Sequence, residues 1–158
     1  MSDASFEDGA EQPLSLTAAD AEDLRVVSTL LQDAVFPVSE ISWSKSRRQF
    51  AMLVNRFRWE DVKAADATGR AYERVQTLVV VDDVTSVASQ GISKADADMV
   101  AELLSLEFEA AEDGAGAIIL TLAGDGALRL VVESINITLR DVTKPYTAPS
   151  GQKPAHPE

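Results

Sequence analysis

Asn55-Arg56-Phe57-Arg58-Trp59-Glu60-Asp61 alternates guanidinium groups with large aromatic rings and closes on two carboxylates. In an extended chain successive side chains point to opposite faces, so Phe57 and Trp59 share one face while Arg56, Arg58 and Glu60 share the other. Two arginines on one face lie about 7 Å apart, close enough to clasp one acidic group. Arginine and tryptophan also dominate binding hot spots. The candidate ligand- or partner-binding residues are therefore Arg47, Arg48, Arg56, Arg58, Trp59 and Arg74. The competing expectation is structural: Arg56 pairs with Glu60 or Glu73 across a sheet, and Trp59 belongs to the core.

Other chemistries find few of the groups they need. The chain has no cysteine, which excludes thiol nucleophiles, thiolate metal sites and disulfides. Its one histidine, His156, lies in a proline-rich tail, so a Ser-His-acid arrangement has no usable base. Glu112-Asp113-Gly114-Ala115-Gly116-Ala117 lacks the lysine and hydroxyl of a phosphate-binding loop and reads as a hairpin turn. Asp82-Asp83 and Asp96-Ala97-Asp98 supply oxygens without a loop pattern that would gather them on a hard metal. No metal and no cofactor is expected. Glu60, Asp61, Glu107 and Glu109 are the carboxylates that a sheet could bring together for acid–base work. Nothing in the sequence implies the burial that would raise their pKa values, so the reading leans away from an enzyme.

The 158 residues carry a net charge of -12, unevenly distributed. Residues 1–44 hold nine acids and one base, net -8; residues 45–74 hold eight bases and four acids, net +4; residues 75–158 return to -8. An acidic whole repels nucleic acid and anionic membranes at long range, whereas a local basic island still attracts an anion at short range. The expected partner is a protein or a small anionic ligand, with no nucleic acid and no membrane. The N-terminus is acidic and carries no signal-peptide pattern, and no apolar run approaches the roughly 20 residues that span a bilayer. A cytoplasmic protein is expected. On that reading the glycosylation pattern at Asn136-Ile137-Thr138 is incidental.

Residues 1–12 read as a disordered acidic arm, 13–142 as one domain, and 143–158, with Pro145, Pro149, Pro154 and Pro157, as a disordered tail. Thr17 and Asp20 suggest a weak capping box, followed by a helix with Leu24, Val27, Leu31 and Ala34 on one face and Pro37 as its stop. Strands are expected at Val38–Trp43, Gln49–Trp59, Glu73–Val81, Val84–Ala88, Leu104–Glu109 and Ile135–Leu139, with a loop from Asp61 to Arg70 and a short helical turn within Ser93–Ala101. Between 116 and 133 a hairpin turns on Gly124-Asp125-Gly126, setting Leu122, Leu120 and Ile118 opposite Leu128, Leu130 and Val132. A bulge is expected at Glu133-Ser134. The sum is an α+β domain: a mainly antiparallel curled sheet of about seven strands capped by an N-terminal helix.

Leu31-Gln32-Asp33-Ala34-Val35, Asn55-Arg56-Phe57-Arg58-Trp59-Glu60, Glu73-Arg74-Val75, Gln90-Gly91-Ile92 and Leu103-Leu104-Ser105-Leu106 occur together in this chain. On these stretches it resembles the uncharacterised alphaproteobacterial domain-of-unknown-function family numbered 2948, over roughly residues 14 to 142. That resemblance implies no activity, cofactor or catalytic residue. The basic turn Lys45–Arg48 and the strand pair around Asp82-Asp83 are also similar to pleckstrin-homology-like modules, although those end in a helix and here the clear helix comes first. The expected function is a non-enzymatic binding module acting through a basic patch in residues 45–74. The alternatives are a small enzyme using carboxylates and arginines on a polar substrate, and a structural assembly subunit.

Overall fold

The structure is a computed structural model and describes residues 12–93, 95–96, 98–148 and 153–154. The acidic arm before Gln12 and the tail histidine lie outside those residues.

The chain starts with a short strand, β1 (Ser15–Ala18), and then helix α1 (Ala21–Leu31). Asp20 caps the helix by accepting the Asp23 N–H (2.8 Å), and Asp23 in turn accepts the Ala19 N–H (3.0 Å). The capping box is thus Asp20 with Asp23, and Thr17, expected to open it, belongs to β1. Leu24, Val27 and Leu31 are buried, as their helical spacing requires. The helix stops well before Pro37 because Asp33 takes a left-handed conformation (φ 65°) and gives its N–H to the Leu103 carbonyl. Val35–Pro37 then forms β2, bridging β4 (Gln49–Phe57) and β7 (Val100–Ala110).

Val38–Glu40 coils into a 3-10 turn, which shortens the next strand to β3 (Ser42–Ser44). The stretch expected as a loop from Asp61 to Arg70 is mostly helical. A 3-10 turn (Trp59–Asp61) leads into α2 (Val62–Thr68), closed by Gly69 in the left-handed region (φ 67°). Its alanines favour helix, but only Ala65 is buried, so no apolar stripe betrays it. β5 (Glu73–Val81) has the expected bounds, and β6 (Val84–Gln90) runs two residues longer than expected. Where a helical turn was expected within 93–101, the described residues make turns and then enter β7.

β8 (Gly116–Leu122) and β9 (Ala127–Val132) form the expected hairpin two residues out of the expected register. Leu120 faces Leu128 and Ile118 faces Leu130. A slip of two keeps the parity, so the apolar face survives. Ladder irregularities lie between Val84 and Ser86 and between Leu103 and Ser105, and the second lets both Leu103 and Leu106 turn inward. At Glu133-Ser134, where a bulge was expected, the chain leaves β9 and crosses to β10 (Ile137–Asp141), which starts and ends two residues later than the expected strand from Ile135 to Leu139. Residues 143–148 do not belong to a tail. Tyr146–Thr147 forms β11 against β5, and Ala148 is buried with its N–H on the Tyr72 carbonyl.

The result is α+β, with eleven strands among the described residues rather than about seven, and two short helices among them. The strands run in the order β1-β10-β5-β4-β2-β7-β8-β9-β6, every pairing antiparallel, with β3 and β11 beside β4 and β5. The path ends at β1 and β6 without closing. One core, including Phe36, Phe50, Met52, Leu103, Ile118 and Leu130, packs between the inner sheet face and α1. The last described element is β11, so the terminal helix of a pleckstrin-homology-like module is not among the described residues.

Candidate functional site

Three neighbouring strands turn from apolar to polar at the same level. In β4 the inward residues run Phe50, Met52, Val54 and then Arg56; in β5 they are Val81, Val79, Thr77 and Val75; in β10 they are Ile137, Leu139 and Asp141. Register places Val54 beside Thr77 and Thr77 beside Asp141. The apolar core therefore gives way at one end to a charged layer.

Arg56 lies on the core-facing parity of its strand, not on an open outer face, and its side chain has no exposure. Its Nη1 and Nη2 donate to the two oxygens of Glu60 (2.7 and 2.9 Å), Nη2 also reaches both oxygens of Asp141 (3.1 Å each), and Nε donates to Thr77 Oγ1 (3.2 Å). The Thr77 hydroxyl donates a hydrogen bond to Asp141 (2.7 Å), which also accepts the Leu14 N–H (2.8 Å). Burial alone would lower the Arg56 pKa, but the bonds and charges of Glu60 and Asp141 outweigh it and raise the pKa further. Arg56 is a permanently charged structural post.

Arg58 is also buried, bonded to Glu73 and within 3.7 Å of Asp61 and 3.9 Å of Glu60. Arg70 grips Asp61 with both guanidinium nitrogens (2.8 Å each) and approaches Glu73 (3.5 Å). The Arg70 hydrogen bonds hold the Asp61 carboxyl below its usual range; burial opposes them, and the Arg58 charge adds to them. Among the described residues no buried side-chain nitrogen or oxygen lacks a hydrogen-bond partner.

The expectation that Arg56 and Arg58 face outward as a basic patch is therefore corrected: both are buried among carboxylates. The strand also ends at Phe57, two residues early, and Trp59 begins the 3-10 turn. Aromatic rings cover the outer face of β4 at this end. Phe57 stacks tilted against Trp59 (4.6 Å between centroids) and Tyr72 (5.8 Å). Trp59 Nε1 donates to the Gln32 carbonyl (2.8 Å). Arg74 lies 5.7 Å from the centre of the Phe57 ring and donates to the Asn55 carbonyl. Asn55 Oδ1 accepts the Tyr146 hydroxyl (2.6 Å).

Arg47 and Arg48 are exposed in the turn before β4, where Arg48 pairs with Glu133. Arg48 stands eight residue steps before Arg56, about 26 Å at 3.3 Å a step. Residues 45–74 thus form two separate sites. Arg56, Arg58 and Arg74 gather at one end with Trp59, and the turn arginines stand at the other.

Over the charged layer lies a cleft of about 780 Å³. Arg58, Asp61, Arg70, Glu73, Asp141 and Lys144 supply its ionic groups, and Pro13, Val142 and Pro145 its apolar walls. Its three cations and three anions balance, so the +4 of the 45–74 segment is not expressed there. Arg70, 42% exposed in its side chain, and Lys144 form an accessible cationic rim. No described group of His, Cys, Asp and Glu is placed to hold a metal ion, and no helix among the described residues is long and apolar enough to cross a membrane.

Sequence reasoning missed Arg70, Thr77, Asp141 and Lys144. Asp141 had a readable signal: it continues the inward parity of Ile137 and Leu139, where a carboxylate needs a buried cation. Arg70 and Lys144 had none, since a helix and a strand not expected from the sequence bring them in.

No curated protein and no solved structure matches the chain. A family model described as protein of unknown function (DUF2948) matches residues 14–156, nearly the whole chain. The match takes in both the charged layer and the residues 142–145 that border the cleft. The chain belongs to the DUF2948 family of proteins of unknown function.

Proposed function

We propose that this chain is a non-enzymatic binding module of the cytoplasm, and that it takes an anionic group into the cleft above the Arg56 layer. The observation that carries the reading is a cleft of about 780 Å³, within the usual size range of ligand sites, floored by ionic groups already fixed in position. Pre-fixed groups lose little freedom when a ligand arrives. The anion enters at Arg70 and Lys144, and Val142 and Pro145 cover its apolar part. A chain of net charge -12 favours a compact single anion over a polyanion such as nucleic acid.

The test is amide chemical-shift mapping on the full chain, titrated separately with small mono- and dicarboxylates and with short acidic peptides. Shifts confined to residues 58–73 and 141–145, and lost in Arg70→Glu plus Lys144→Glu, support the reading. Whichever probe saturates decides between a free ligand and a protein segment. No shifts with either probe class, or shifts that persist in the double variant, overturn it.

One observation favours a small enzyme instead: Asp61 and Asp141 are buried beside arginines in a cleft. That reading requires a carboxylate whose proton affinity is raised, and Asp61 is lowered. It predicts a turnover abolished by Asp61→Asn in a folded protein.

A further inference from the structure

The two ends of the strand path differ in how they meet solvent. β1 is four residues long, too short to template another strand. β6 has seven residues, and among the described residues β9 alone pairs with it. Exposed edges are normally protected by lysine, proline or an inward charge. β6 and its sequel, Val84 to Ser93, contain ten residues without charge or proline in a chain that is 25% charged. The only irregularity in its pairing lies before Ser86, and the ladder is regular from Ser86 to Gln90.

Hydrogen bonds identify the backbone groups left outward. The Gly126 carbonyl accepts the Leu122 N–H of β8, and the Val131 carbonyl accepts the Thr85 hydroxyl of β6. In β9, then, even positions face β8 and odd positions face β6, because N–H and C=O of one residue point to the same side. Opposite the odd positions 127, 129 and 131 stand Gln90, Ala88 and Ser86. Those three direct their backbone groups to β9, leaving the groups of Val87 and Ser89 outward.

We propose that β6 is a self-pairing edge, joining two copies of this chain in one continuous antiparallel sheet about a two-fold axis at Ala88. In that register Val87 and Ser89 exchange backbone hydrogen bonds with Ser89 and Val87 of the second copy. Ala88 faces its own counterpart at a non-hydrogen-bonded position, where Cα atoms approach to about 4.5 Å and a methyl side chain fits. The uncharged strand explains why the occupant is a second copy: two chains of net charge -12 meet without like charges opposed at the seam. A strand chosen by charge would find nothing on β6 to grip. The interface is isologous, as two-fold assemblies require.

The experiment is sedimentation equilibrium of the full chain from about 1 µM to about 1 mM, a range that reads weak association. The expected result is a mass rising from 17.0 kDa toward twice that value. Ser89→Pro removes one outward N–H, and Ala88→Glu sets two carboxylates face to face; each should weaken association by about tenfold or more with an unchanged circular-dichroism spectrum. Added salt should partly restore association of Ala88→Glu and leave Ser89→Pro unrestored. If Ser89→Pro proves misfolded, Ala88→Glu decides, since it leaves every backbone bond in place. A single 17.0 kDa species across the range, or association indifferent to the folded variants, overturns the proposal.

Discussion

Replacing Arg56 with methionine should cost the fold about 3 kcal/mol, the lower end of the range for breaking a buried ion pair from one side. The side chain has no exposure, and its removal strands Asp141, whose side chain is 4% exposed. Asp141 keeps the Thr77 hydroxyl and the Leu14 N–H, and Glu60, 31% exposed, recovers water. Those residual partners place the value at the lower end. Methionine fills much of the volume, so a cavity contributes little. Urea unfolding monitored by Trp59 and Trp43 fluorescence measures the loss as a shift in midpoint at constant slope. At this chain length the same change lowers the melting temperature by about 6–12 °C. Asp141→Asn on the Arg56→Met background should cost less than on the native protein, because the charge it removes is already stranded. A loss under about 1 kcal/mol, or full additivity of the two changes, would mean that Arg56 does not anchor the charged layer, and the structural reading of the network would fall.

Four further outcomes follow from single contacts. Asp61 has a folded pKa below its ordinary value of 3.8, so its contribution to stability is present above that value and is lost as the pH falls through the folded pKa. Arg70→Gln should therefore lower stability above about pH 4 and change it less at the acid end, so that the acid limb of stability measured against pH becomes shallower. At Gly116 a Cβ would collide with the Glu109 carbonyl and come within 2.6 Å of the Phe108 ring; Gly116→Ala should cost about 1–3 kcal/mol in urea unfolding. Asp20→Ala removes the cap of α1 and should cost about 1 kcal/mol, with Asp20→Asn much closer to native. Trp59→Phe loses the bond to the Gln32 carbonyl and should cost about 1 kcal/mol by the same assay.

Long, alternating segments were readable because burial on one face imposes a period of two. β5 has the bounds its β-branched run predicts, and the inward leucines and isoleucines of β8 and β9 were legible even though their register slipped by two. Elements of two to four residues, such as β1, β2 and β11, show too little alternation to be recognised, and they account for the strand count. α2 was hidden because helix propensity without an apolar stripe reads as a loop. The arginine run was misread for a more instructive reason. Aromatic rings were assigned inward and guanidiniums outward, yet Phe50, Met52 and Val54 had already set the inward parity that Arg56 continues. A charged residue on an established core parity needs a buried countercharge. Here that charge is Asp141, eighty-five residues away in sequence, which no local pattern supplies.

Because nearly every charge in the cleft is already engaged, an incoming anion must displace an existing contact, and the pairs differ in how readily they yield. The Arg56 pairs are out of reach, since no part of that side chain meets solvent and two carboxylates hold it at once. Arg58 has 5% exposure and three acids within 4 Å. Arg70 alone combines a solvent-facing guanidinium with a bidentate carboxylate contact, a geometry an external carboxylate can copy. Exchange there costs little, because water already competes for the exposed part of the pair. Asp61, once released, still has Arg58 within 3.7 Å. On the proposed binding reading, the cleft divides into an inner ion-pair layer that fixes the ends of β4, β5 and β10 and an outer pair that trades partners, and stability and binding should separate along that line.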